Sequence, residues 1–134
     1  MIGVLLVTHG EIGTSLLASA AQILGAAPAQ VATLSVWRQD DPDDLVLRAR
    51  ELLEGIDDGD GVLVLTDIFG ATPGNVVSRL LQDGRVEGVS GVSLPMLLRV
   101  LTGRNGSLRG AVERALSGGA EGVLHMNRDR CCDA

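Results

Sequence analysis

Apolar residues gather in short runs at residues 2–7, 31–36, 61–65 and 86–92, with a weaker run at 122–126, and amphipathic stretches fill the intervals. The first run, Ile2 to Val7, is rich in Val and Leu and is interrupted only by a glycine. Runs this short, apolar at nearly every position, suit strands covered on both faces, as in a parallel sheet held between helices.

The intervening stretches have helical period and legible ends. Thr14 reads as an N-cap before Leu16, Leu17, Ala20, Ala21 and Leu24, which share one face, and Gly25 closes that helix. Asp41 and Pro42 read as N-cap and first helical position, with Asp43 and Asp44 suitably placed in the first turn. Leu45, Ala49, Leu52, Leu53 and Ile56 form the apolar stripe of that second helix. Ser107 opens a last long helix that presents Leu108, Ala111, Val112, Ala115 and Leu116, and Gly118-Gly119 is expected to end it.

The predicted order is strand, helix, strand, helix, strand, helix, strand, helices, strand. Such alternation implies a three-layer α/β/α fold around a mainly parallel open sheet with right-handed crossovers. In sheets of this kind ligands sit at the carboxyl ends of the strands, where the strand order reverses. The chemistry is therefore expected just after the first strand and one of its neighbours.

A chain of 134 residues holds one domain with a real core, assigned to residues 1–126, followed by a short tail at 127–134. No run reaches the roughly 18–20 apolar residues that span a bilayer. The apolar run at Ile2 is preceded by no basic leader or cleavage site, so a cytoplasmic location without membrane insertion is expected. The formal net charge is −6, with 11 Arg and no Lys, and acidic pairs such as Asp40-Asp41 and Asp57-Asp58 are matched by no basic stripe. Sequence-blind nucleic-acid binding, which needs a cationic footprint, is thereby excluded. One Trp, one Phe and no Tyr leave no aromatic platform for stacking bases or sugars. Cys131 and Cys132 are adjacent near the end, unsuited to an unstrained disulfide with each other, and read as a reduced, solvated tail.

Two segments stand where the chemistry is expected. Val7-Thr8-His9-Gly10 ends the first strand, and Leu65-Thr66-Asp67-Ile68-Phe69-Gly70-Ala71-Thr72-Pro73-Gly74-Asn75 follows the third. Gly10 lets backbone and solvent approach the His9 ring. Imidazole is a good nucleophile toward phosphorus near neutral pH, and its phosphoramidate transfers readily. While one ring nitrogen attacks, the other needs an acceptor for its proton, and Asp67 is the natural one. Thr72-Pro73 reads as an N-cap and first helical position. With Gly70 and Gly74 giving the backbone room, its free N–H groups suit an anion. His125, in the last apolar run, reads as structural, since no carboxylate or second ligand stands at metal spacing. Arg38, after Trp37 at the end of the second strand, is placed to face a phosphate.

Three matches, Val-Thr-His-Gly at residues 7–10, Thr66 to Asn75, and Gly91-Val92-Ser93-Leu94-Pro95-Met96-Leu97, make the chain resemble the IIA domain of mannose-type sugar phosphotransferase permeases over nearly its whole length. The resemblance implies that His9 accepts phosphate from phospho-HPr on Nε2, with Asp67 orienting and stabilising the ring. Gly10, Gly70, Ala71 and Thr72 would surround the phosphoryl group, and Phe69, Pro95 and Met96 would supply docking surface. It further implies passage to a IIB acceptor, a homodimer in which the last strand joins the neighbour's sheet, no metal and no cofactor. Ala71 and Thr72 stand where the family often has Gly or Ser, changes conservative for a backbone anion site. No IIB domain follows Cys132, so a separate IIB protein is expected as acceptor.

Three alternatives share part of this chemistry. Histidine phosphatases use Arg-His-Gly, whereas Thr8 here replaces the clamping Arg. The phosphocarrier subunit of dihydroxyacetone kinase would use the same histidine with another acceptor. A regulatory module would be controlled by His9 phosphorylation without feeding transport.

Overall fold

The computed structural model describes residues 1–128. Cys131 and Cys132 lie outside the described residues, as does most of the expected tail. The elements run β1 (Gly3–His9), α1 (Ile12–Leu24), β2 (Val31–Val36), α2 (Pro42–Ile56), β3 (Val62–Thr66), α3 (Thr72–Ser78), β4 (Val86–Ser90), α4 (Leu94–Leu101) and α5 (Leu108–Glu121). The four strands form one fully parallel sheet in the order β2-β1-β3-β4. This is the open three-layer α/β fold that the apolar runs predict.

Side-chain alternation in the strands divides the interior into two cores. Leu5, Val7, Val62 and Val64 point toward α2 and α3, meeting Leu45, Val46, Ala49, Val76 and Val77. Val4, Leu6, Leu63 and Leu65 point the other way, onto Ala20, Met96, Leu97, Val100, Ala111 and Ala115 of α1, α4 and α5. Because both faces are covered, β1 and β3 carry no polar alternation, which is why they read as continuous runs. Helix α2 begins as expected: the Asp41 carboxylate accepts the Asp43 N–H at 3.0 Å, and Asp43 and Asp44 occupy the first turn.

Four expectations about element ends need correction. Helix α1 starts at Ile12, so Thr14 is an exposed residue inside its first turn and not the cap. The capping is done from the strand: Thr8 Oγ1 accepts the Gly13 N–H at 2.8 Å. A Cβ on Gly13 would stand 3.2 Å from the Leu6 Cβ, so only glycine lets the helix start this close to β1. Helix α3 is capped by Ala71 without a side-chain bond, which moves Thr72 from cap to first helical residue.

Helix α5 runs through Gly118-Gly119 to Glu121. Those glycines are packing residues: a Cβ on Gly118 would lie 3.1 Å from the Met96 Cα, and one on Gly119 2.8 Å from its Cε. They let α5 press against α4, and a packed helix outweighs the weak helical propensity of glycine.

The fourth correction concerns the last apolar run. Residues 123–126 form no strand in the single chain. Val123, Leu124 and Met126 are 82%, 61% and 78% exposed. A lone extended segment has no backbone partner unless it meets a sheet edge, and here the chain leaves α5 without returning to β4. His125 shares this exposed stretch.

Arg104 closes the end of the sheet where the strands begin. It is 6% exposed, and its Nη1 donates to the carbonyls of Ala29 at 2.7 Å and Ile2 at 3.3 Å, just ahead of β2 and β1. Burial lowers its pKa, yet an arginine stays charged there.

Candidate functional site

The strand order reverses between β1 and β3, and the carboxyl ends of these two strands carry His9 and Asp67 side by side. His9 Nδ1 lies 2.8 Å from Asp67 Oδ2. The backbone N–H of His9 donates to the same oxygen at 3.2 Å, and the Thr66 hydroxyl donates to Oδ1 at 3.4 Å. A single carboxylate thus fixes both the ring and the strand end that bears it.

Partial burial pushes the Asp67 carboxyl upward, but the bonds from the His9 ring and backbone outweigh that cost and hold it below the ordinary carboxylate value. Asp67 is therefore ionised at neutral pH. Beside an ionised carboxylate Nδ1 keeps its proton and donates it, which leaves the lone pair on Nε2. The His9 side chain is 49% exposed and that of Asp67 only 13%, so the ring is open while its partner is sheltered.

A cleft of about 500 Å³ opens beside the ring, lined by His9, Val36, Trp37, Arg38, Asp40, Pro42 and Thr72. Of the residues expected around a phosphoryl group, the structure brings Thr72 into this cleft with His9. Gly10 adopts a φ of 49°, and a Cβ there would meet the Trp37 ring at 3.3 Å. The group approaching Gly10 is thus an indole. Gly70 turns the loop after β3 with a φ of 88°, and Ala71 begins α3. A Cβ on Gly74 would lie 3.0 Å from the Ile68 carbonyl, so this glycine lets the loop fold down onto the helix.

The expected docking residues separate. Phe69 is 80% exposed at the tip of the loop after Asp67, with Ile68 beside it at 54%. Pro95 is exposed. Met96 is 3% exposed and belongs to the core between α4 and the sheet, so it offers no surface. At helical spacing its side chain turns inward with Val100. The residue of that segment that does reach a groove is Leu94, which faces Glu11, Ile12, Ser15, Leu16 and Ser19 of the α1 region.

Trp37, Asp40 and Pro42 line the cleft without having been singled out as site residues. Their signal lay in topology. Once β2 is known to flank β1 on the side away from β3, the residues after Val36 must border His9, and the Trp at that point is the only one in the chain.

An open parallel α/β domain with an exposed histidine held by a carboxylate at its switch point defines a class: α/β domains whose site is built on a carboxylate-oriented imidazole. The family described as PTS system fructose IIA component (EIIA-man) matches residues 3–116, and the chain belongs to this family. The chain is 31% identical over 125 residues to the mannose-specific EIIAB component of the phosphotransferase system (PTS) of Escherichia coli K12, covering 91% of this chain and 38% of that protein. It thus spans well under half the length of that relative. The fructose-specific EIIA component of Bacillus subtilis 168 is 32% identical over 103 residues, 76% of this chain and 70% of that one. Among solved structures, a phosphotransferase system EIIA component from Streptococcus agalactiae superposes with a TM-score of 0.85 at 26% identity, over 96% of this chain and 99% of that chain. Among the described residues no helix is long and apolar enough to cross a membrane.

Proposed function

We propose that this chain is a phosphoryl carrier of a phosphoenolpyruvate-dependent sugar phosphotransferase system, working in the cytoplasm. It takes the group from phospho-HPr onto Nε2 of His9 and passes it to a IIB acceptor. The observation that carries this reading is the 2.8 Å contact between His9 Nδ1 and Asp67. It leaves the lone pair on the opposite nitrogen of a half-exposed ring, which is what attack on phosphorus needs. Family membership supports the same role. Exposed Phe69, Ile68 and Trp37 around His9, with the groove at Leu94, supply apolar surface on which two partners in turn dock.

The reading includes a homodimer. Val123, Leu124 and Met126 are exposed apolar side chains beyond α5, and among the described residues no strand pairs with the outer edge of β4, which carries only the Gln82–Val86 bridge. Exchange of residues 123–126 onto the β4 edge of a second copy satisfies both.

Incubation with enzyme I, HPr and labelled phosphoenolpyruvate tests the carrier role. Acid-labile, base-stable label on the wild type, absent from His9→Ala, is expected. No label from a demonstrably active phospho-HPr rejects the reading.

A further inference from the structure

We propose that Arg38 binds the phosphoryl group at His9 and stabilises the charge on its oxygens during transfer, an assignment that rests on His9 being the phosphoryl acceptor. Val36, the last residue of β2, pairs in register with His9 and accepts the Gly10 N–H at 2.9 Å, so the chain leaves β2 directly beside the ring. A tight turn follows, closed from both sides: the Trp37 N–H donates to Asp40 Oδ2 at 2.8 Å, and the Asp40 N–H to the Trp37 carbonyl at 3.0 Å. Arg38 is the second residue of that turn and lines the cleft shared by His9 and Thr72.

Its charge is otherwise unused. Arg79, Arg85 and Arg99 each pair with a carboxylate, and Arg104 and Arg114 donate to backbone carbonyls. Arg38 makes no hydrogen bond or ion pair among the described residues, although Asp40 is two positions away, because that carboxylate is occupied by the turn. The cleft needs a cation. A phosphoryl group brings a charge of about −2, and it must arrive next to ionised Asp67 and beside Asp40 in a chain of net charge −6. Among the described residues no other arginine lines the cleft.

In the step, the Nε2 lone pair of His9 forms a bond to phosphorus while the P–N bond of the donor phosphohistidine breaks. The electron pair of that bond returns to the donor ring nitrogen, and His9 Nδ1 keeps its proton, donated to the Asp67 carboxylate. Negative charge spreads over the three equatorial oxygens of the passing group. A planar guanidinium matches two of them at once, and a lysine in its place would not.

Trp37, the single Trp, lines the same cleft and reports on it by fluorescence. Inorganic phosphate titrated into the intact chain is expected to give a saturable change, with affinity about ten-fold weaker in Arg38→Ala. Labelling of Arg38→Ala by phospho-HPr should slow roughly 10- to 100-fold, with partial recovery in Arg38→Lys and an unchanged circular dichroism spectrum. Phosphate affinity in Arg38→Ala equal to wild type overturns the assignment, and so does an equal labelling rate. If the wild type takes no label, the carrier reading fails by itself, and the phosphate titration then decides Arg38 alone.

Discussion

One oxygen of Asp67 holds His9 twice, accepting from the ring Nδ1 at 2.8 Å and from the backbone N–H at 3.2 Å. The ring cannot rotate away without losing a charge-assisted bond, and the strand end cannot move without losing the other. His9→Ala should therefore remove the phosphoryl acceptor and leave a folded protein, since a half-exposed side chain contributes little to the core. Labelling from phospho-HPr should vanish while the melting temperature stays within a few degrees of wild type. Label retained on His125 in that variant would place the chemistry elsewhere.

Asp67→Ala is expected to slow transfer about 100-fold without abolishing it. In the proposed role the carboxylate carries no phosphate and acts by selecting the tautomer and steadying the ring as it becomes cationic. Single-turnover labelling in rapid-quench mode measures this, and a rate equal to wild type removes the role.

The same pair predicts a pH signature. Asp67 has a folded pKa below its unfolded value, so its ionised form contributes stability that is fully present above the unfolded pKa. That contribution is lost as pH falls through the depressed folded value. Urea denaturation of wild type against Asp67→Asn should show a gap that is constant above about pH 5 and closes in more acidic solution. A gap that widens on acidification contradicts the direction of the shift.

How much of this was legible in the sequence follows from where each signal resides. The strands were readable because burial on both faces forces apolar side chains at nearly every position, as at Val4 to Val7. His9 and Asp67 were readable because a polar residue that ends such a run stands at the rim of the sheet. Features depending on a distant partner were not. Thr8 caps α1 from across a turn, so local pattern placed the cap at Thr14. Gly118 and Gly119 resemble a helix stop in isolation, and only the contact with Met96 shows that they are packing positions. Met96 was expected at a docking surface only because the resemblance implied it, yet its place on α4 turns it into the core.

That contact between α4 and α5 makes its own prediction. Gly118→Val would drive a branched side chain into the Met96 backbone and the Pro95 carbonyl, which stand 3.1 and 3.3 Å from the Cβ position. Overpacking of this kind costs about 1–3 kcal/mol. Thermal unfolding should show the loss, while labelling of the folded fraction at His9 should persist because the site lies on β1 and β3. A variant as stable as wild type would mean that α5 shifts freely, against the close seat described.

The exposed run after α5 is the contact on which the proposed dimer rests. Val123, Leu124 and Met126 present apolar side chains to solvent in the single chain, a cost that pairing with a second copy removes. Sedimentation should find a dimer at micromolar concentration, and Val123→Asp with Leu124→Asp should shift it toward monomer, since a charge buried in the exchanged segment is left unpaired. The His9 and Asp67 pair is formed within one chain. The monomeric variant should therefore still take label from phospho-HPr. A wild-type monomer would dismiss the exchanged segment. A double variant that stays dimeric would move the interface to another surface of the fold.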